Sequence, residues 1–167
     1  MNNFKVIIVE DVPLELKGTE GIIRNDIPEA EVIGTANNEA EYWRIIRDNQ
    51  PDLVLLDLGL GGSTTVGVEI CRHTKESYPA VKVLIFTGEI LNEKLWVDVL
   101  DAGADGIILK SGELLTRGDV RSVMEGKTMV FNEPILRRIV ERFKLSVNRE
   151  LTNQEALLDY EIDEYDE

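Results

Sequence analysis

One cysteine, one histidine and a shortage of positive charge bound what this chain of 167 residues can do. With Cys71 alone, an internal disulfide and a cysteine-based zinc site are both excluded. His73 falls in a helical pattern behind a glycine-rich stretch and reads as a surface residue rather than a phosphodonor or a ligand. Eighteen Lys and Arg stand against 32 Asp and Glu, for a formal charge of −14. Such a chain is repelled by nucleic-acid phosphates and by anionic membranes. Its densest basic cluster, Arg137-Arg138 with Arg142 and Lys144, is flanked by acids. No apolar run reaches membrane-spanning length, and the N-terminus lacks a signal-peptide pattern. The expectation is a soluble cytoplasmic protein that itself contacts neither nucleic acid nor membrane.

What is present is enough apolar sequence, 43%, for a packed core, arranged as strand-like runs alternating with helical patterns. That alternation predicts β-α units around a parallel sheet. Strands are expected at Phe4–Val9, Glu31–Thr35, Leu53–Leu56, Lys82–Phe86 and Gly106–Leu109. Helices are expected at Leu14–Arg24, from an Asn38 cap to Asp48, after a long Gly59–Gly67 loop to about Tyr78, at Asn92–Ala102 closed by Gly103, and at Arg117–Glu125. Glu41, three residues after Asn38, would complete a capping box. Five units thus fill residues 1–126 as a doubly wound α/β domain. Residues 127–150 read as an extended segment and a linker helix, with Asn132 as cap and Ile135, Leu136, Ile139, Val140 and Phe143 on one face. Residues 151–167 form an acidic tail.

Four of the five strand-like runs end in polar residues suited to a phosphoryl group: Glu10-Asp11, Asp57, Thr87 and Lys110. In an open parallel sheet the carboxyl ends of the strands share one crevice, where ligands bind. Any one of these residues alone reads as a turn, a cap or a solvated side chain; their joint occurrence in order does not. Asp57 can attack phosphorus and become an acyl phosphate. Clustered carboxylates need a cation, and an all-oxygen donor set suits Mg²⁺ or Mn²⁺. Lys110 and Thr87 would supply an ammonium and a hydroxyl to phosphoryl oxygens.

The segments Val9-Glu10-Asp11, Leu55-Leu56-Asp57-Leu58, Phe86-Thr87-Gly88 and Leu109-Lys110 resemble the receiver domain of bacterial two-component response regulators. Ala102-Gly103-Ala104-Asp105-Gly106, leading up to Lys110, resembles the NarL/LuxR-type subfamily. The resemblance covers residues 4–126 and implies a CheY-like five-stranded sheet of order 2-1-3-4-5 flanked by five helices, with an extra C-terminal helix. It further implies phosphorylation of Asp57 by a sensor histidine kinase or phosphotransfer protein. Mg²⁺ would be held by Asp11, Asp57 and the Gly59 carbonyl, with Glu10 acting through water. Thr87 and Lys110 would follow the acyl phosphate and shift a surface read by a partner, in the service of transcription. By the same resemblance the protein is not an enzyme beyond slow loss of its own phosphoryl group. The Ile135–Phe143 stripe leaves two expectations open, a homodimer or docking of an output domain on the same face.

Several positions depart from the family pattern. Glu10 stands where Asp is more frequent, the loop Gly59–Val66 reads as two residues longer, and Ile107 replaces the aromatic expected three before the lysine. Leu151-Thr152-Asn153-Gln154-Glu155 resembles the opening of a LuxR-type DNA-binding domain, of which this chain carries no recognition helix. Gly59-Leu60-Gly61-Gly62 is a poor dinucleotide fingerprint, since it follows the third strand rather than the first. Two rival readings stay open: an interaction module that works without phosphorylation, and an aspartate-nucleophile phosphatase. The second lacks the usual acid two residues after the nucleophile, where Gly59 stands.

Overall fold

A computed structural model describes residues 3–88, 92–110 and 114–127, together with 130, 131, 137 and 141. Six parallel strands form one sheet in the order β2-β1-β3-β4-β5-β6. They are β1 (Phe4–Val9), β2 (Ala30–Ala36), β3 (Leu53–Leu56), β4 (Lys82–Thr87), β5 (Gly106–Leu109) and β6 (Val130–Phe131). The expected order 2-1-3-4-5 and its five helices are all there. The two residues of β6, too short to give a sequence pattern, add a strand beside β5 by pairing with Gly106 and Ile107.

The helices are α1 (Pro13–Asp26), α2 (Glu39–Asp48), α3 (Thr64–Ser77), α4 (Glu93–Asp101) and α5 (Arg117–Met124). Strand residues alternate between two buried faces, as a central parallel sheet requires. Val6, Ile8, Leu53, Leu55, Leu84, Phe86 and Ile108 pack with Ile23 of α1 and with Val120 and Val123 of α5. The alternate residues Ile7, Val54, Leu56, Val83, Ile85 and Ile107 are equally buried, as are Tyr42, Cys71 and Val99 of α2, α3 and α4. The Tyr42 hydroxyl and Thr74 Oγ1 lie 2.7 Å apart and satisfy each other inside the protein. Cys71 is packing, as expected, and burial pushes its thiol pKa up to about 12. The imidazole of His73 is about half exposed, as a surface residue should be.

Local chemistry explains the helix boundaries. Asn38 caps α2 by accepting the Glu41 N–H at 2.9 Å. The return bond of the expected box lands one residue upstream, because Glu41 Oε2 accepts from Asn37 rather than Asn38. Asn92 caps α4 through the Leu95 N–H. Thr116 and Asp119 close a full capping box on α5. Gly103, in the left-handed region at φ 82°, turns the chain out of α4 toward β5.

The expected long loop Gly59–Gly67 needs correction. Leu60–Gly62 forms a single 3-10 turn, and α3 already starts at Thr64, so Thr64, Thr65 and Val66 are helical. Gly61 and Gly62 both take positive φ, which reverses the chain in two residues. Gly67 lies within α3 and is there for proximity: a Cβ would stand 2.7 Å from Leu58 Cα and 3.0 Å from the Asp57 carbonyl oxygen.

The chain divides into two compact units, Met1–Asn132 and Glu133–Glu167. Of the expected sixth helix and its Ile135–Phe143 stripe, Arg137 and Glu141 are described, both helical and exposed. The rest of that helix, the 146–153 connector and the acidic tail lie outside the described residues. No helix among the described residues is long and apolar enough to cross a membrane.

Candidate functional site

The ladder hydrogen bonds continue one residue past the strands, and this sets the site. The Glu10 N–H donates to the Ala36 carbonyl, the Asp57 N–H to Val9 and the Lys110 N–H to Thr87, at 2.9, 3.0 and 2.8 Å. The backbone of each functional residue is therefore held by the neighbouring strand, and its side chain leaves from a fixed point at the carboxyl edge. Glu10 and Asp57 are buried, 3% and 8% exposed, while Asp11 is half-buried. One carboxylate oxygen from each of Glu10, Asp11 and Asp57 lies within 4.8 Å of the others.

Backbone amides fix the remaining oxygens. The Val12 N–H donates to Glu10 Oε1 at 3.0 Å, and the Gly59 N–H to Asp57 Oδ2 at 2.7 Å. The Gly61 N–H, at the top of the 3-10 turn, donates to Asp11 Oδ2 at 2.7 Å. Each acid thus has one oxygen fixed by a backbone amide, and the second oxygens of Glu10 and Asp57 face Lys110.

Lys110 is the only cation reaching this group among the described residues. Its Nζ lies 2.5 Å from Glu10 Oε2, 2.5 Å from Glu15 Oε2 and 3.2 Å from Asp57 Oδ1. The ammonium also sits 5.5 Å from the centre of the Phe86 ring. One positive charge shared among three carboxylates explains both pKa directions. For Lys110, burial acts downward but is outweighed by hydrogen bonds to Glu10 and Glu15 and by the charge of Asp57, so its pKa is raised. For Glu10, burial dominates and its pKa is also raised, because its share of Lys110 does not offset desolvation. The corner is short of positive charge, and its all-oxygen donor set suits a hard divalent cation.

Of the residues expected from the sequence, Glu10, Asp11, Asp57 and Lys110 come together here. Thr87 is buried at the end of β4, the strand next to β3, two positions beyond the Ile85 that pairs with Leu56. Gly59 follows Asp57 closely; its carbonyl accepts the Gly62 N–H at 3.1 Å, and its amide serves Asp57. Two residues escaped the sequence reading. Glu15 sits in the first turn of α1, and an acid there is ordinarily explained by the helix dipole. Gly61 acts through its amide alone, which no side-chain pattern displays.

Comparisons with known proteins give the family. Residues 6–116 match the response regulator receiver domain family, and residues 130–167 match a family of unknown function. The chain is 31% identical to the DNA-binding transcriptional activator DevR/DosR of Mycobacterium tuberculosis, over 77% of this chain and 58% of that protein. It is 32% identical to the oxygen regulatory protein NreC of Staphylococcus epidermidis, over 75% of this chain and 57% of that protein. It therefore spans less than two thirds of the length of these relatives. Among solved structures, a LuxR-family two-component response regulator from Aurantimonas superposes with a TM-score of 0.73 at 27% identity, over 84% of this chain and 98% of that one.

Proposed function

Because the chain belongs to the response regulator receiver domain family of two-component systems, related to transcriptional regulators, we propose that it accepts a phosphoryl group on Asp57 from a sensor histidine kinase or phosphotransfer protein. The observation that carries this reading is the corner itself: a buried Asp57 in contact with Lys110, with two further carboxylates within 4.8 Å. In the transfer, an Asp57 carboxylate oxygen bonds to phosphorus while the P–N bond to the donor imidazole breaks. The electron pair of that bond stays on the imidazole nitrogen.

Glu10, Asp11 and Asp57, with the Gly59 carbonyl, would hold Mg²⁺ or Mn²⁺, which supplies charge neutralisation for the carboxylates and the incoming phosphoryl oxygens. The chain's own residues do the rest. The Gly59 amide keeps one Asp57 oxygen engaged and leaves the other to react. Lys110 exchanges carboxylate partners for a phosphoryl oxygen, and Thr87 offers its hydroxyl to another. Movement of those two would pull on the segments that follow β4 and β5, where a partner or an output region reads the change. Ile107 is fully buried in β5, so that reading works without a mobile aromatic there. Regulation of transcription would follow through a DNA-binding partner or region, as the name of DevR/DosR says of that protein. Hydrolytic turnover of other phosphate esters is disfavoured, because Gly59 presents an amide and no side-chain acid beside Asp57.

Intact mass after incubation with acetyl phosphate and Mg²⁺ tests this. The expected result is a gain of one phosphoryl group, lost without Mg²⁺ and lost in Asp57→Ala. An adduct that survives Asp57→Ala, or none from either acetyl phosphate or a histidine kinase, would overturn it.

A further inference from the structure

Lys110 has a second employer besides the acids of the crevice. Glu15 approaches it from α1 at 2.5 Å, as near as Glu10 does and nearer than Asp57, although Glu15 is 48% exposed. Among the described residues Lys110 is the partner of the Glu15 carboxylate, and Glu15 is too exposed for its burial to stabilise the fold appreciably. We propose that Glu15 is a positioning residue that competes with the acyl phosphate for Lys110 and thereby restrains phosphorylation. The inference rests on the function proposed above and adds a control element to the same site.

The charges give the direction. When a phosphodonor arrives, the Asp57 oxygen bonds to phosphorus, and the donor's P–O bond breaks with its electron pair leaving on acetate. The phosphoryl oxygens then require the Lys110 ammonium, which Glu15 holds from the solvent side. Glu15 also adds one more negative charge to the path of an anionic donor. Neutralising it releases the ammonium and removes that repulsion. At saturating Mg²⁺, Glu15→Gln is expected to react with acetyl phosphate roughly three- to tenfold faster, a gain that shrinks as salt screens the charge.

The same substitution acts oppositely on the cation. Without Glu15, the ammonium rests more fully on Glu10 and Asp57 and competes with Mg²⁺ for them. One carboxylate is also lost from the neighbourhood. Both effects weaken Mg²⁺ binding, by a few-fold in Kd measured by calorimetry with no donor present. A residue that merely braced α1 would change neither quantity.

Glu20→Gln serves as control, because Glu20 lies on the same helix but pairs with Arg24. Faster phosphorylation with weaker Mg²⁺ binding in Glu15→Gln, and neither in Glu20→Gln, supports the proposal. Unchanged rates in Glu15→Gln, or equal changes in both variants, would overturn it. Absence of any adduct on the wild-type chain would instead overturn the proposed function itself, which keeps the two failures distinguishable.

Discussion

Strand β5 is four residues long, and an ammonium–carboxylate cluster stands at each of its ends. Before it, Asp105 accepts from Lys75 and Lys82, both at 2.9 Å, and from the Val83 N–H at 2.9 Å. After it, Lys110 serves Glu10, Glu15 and Asp57. The chemistry is the same and the proportions are reversed. One acid with two cations and a backbone donor is a satisfied brace that ties β4, β5 and α3 together at the amino edge. One cation with three acids is an unsatisfied corner at the carboxyl edge. The pKa directions report this. Burial acts to raise Asp105, but its two lysines and the Val83 amide outweigh that and lower it. Glu10, more deeply buried and sharing its one lysine, ends up raised. In a parallel sheet the carboxyl edge is where ligands bind, and here it is also where the fold leaves its charges unbalanced.

The most severe way to break the comparison is to remove the brace. Asp105→Ala leaves the partly buried Lys82 ammonium and the Val83 amide without this acceptor, and leaves Lys75 with the Val81 carbonyl alone. It should cost about 3 kcal/mol of stability by urea unfolding. A loss below about 1 kcal/mol would mean that the amino-edge cluster is solvated decoration.

Substitution in the unsatisfied corner should act the other way. Glu10→Gln removes a buried charge that Lys110 only partly compensates, so the metal-free chain should gain about 1 kcal/mol. In the same variant the rise in Tm on adding Mg²⁺ should largely vanish. A destabilised Glu10→Gln would show that the corner is a second brace, and the contrast between the two edges would fail.

The sequence made one of these regions legible and left the other nearly invisible. Glu10, Asp11, Asp57, Thr87 and Lys110 each terminate an apolar run, and the parallel topology does the rest by bringing strand ends together. Asp105 precedes a strand inside a turn motif, and its two lysines come from residues 30 and 23 positions away, so no local pattern links them. Glu15 was hidden differently: its reach to Lys110 depends on how α1 docks, which periodicity gives only to within a face. The start of α3 was hidden because Thr64, Thr65, Val66 and Gly67 are weak helix formers, overridden by the close packing of Gly67 against Leu58. Asn38 was readable as a cap because side chain and target lie three residues apart.

The finest test of the contrast is pH, and its sign differs for the two edges. Asp105 has a folded-state pKa below the ordinary Asp value of 3.8. Its contribution is fully present above that value and is lost only as pH falls through the lower, folded one. Glu10 is raised above the ordinary Glu value of 4.5. The folded chain therefore takes up that proton before the unfolded chain does, and acidification toward 4.5 relieves a penalty rather than removing a support. Between about pH 7 and about pH 5, then, the cost of Asp105→Ala should stay constant, while the advantage of metal-free Glu10→Gln over wild type should shrink. Urea unfolding of both variants and wild type across that range measures both slopes, each a fraction of the effect of the substitution itself. An advantage of Glu10→Gln that grew on acidification would place the Glu10 pKa below the ordinary value. It would then be a paired, satisfied carboxylate like Asp105, and the corner's need for a further cation would disappear with it.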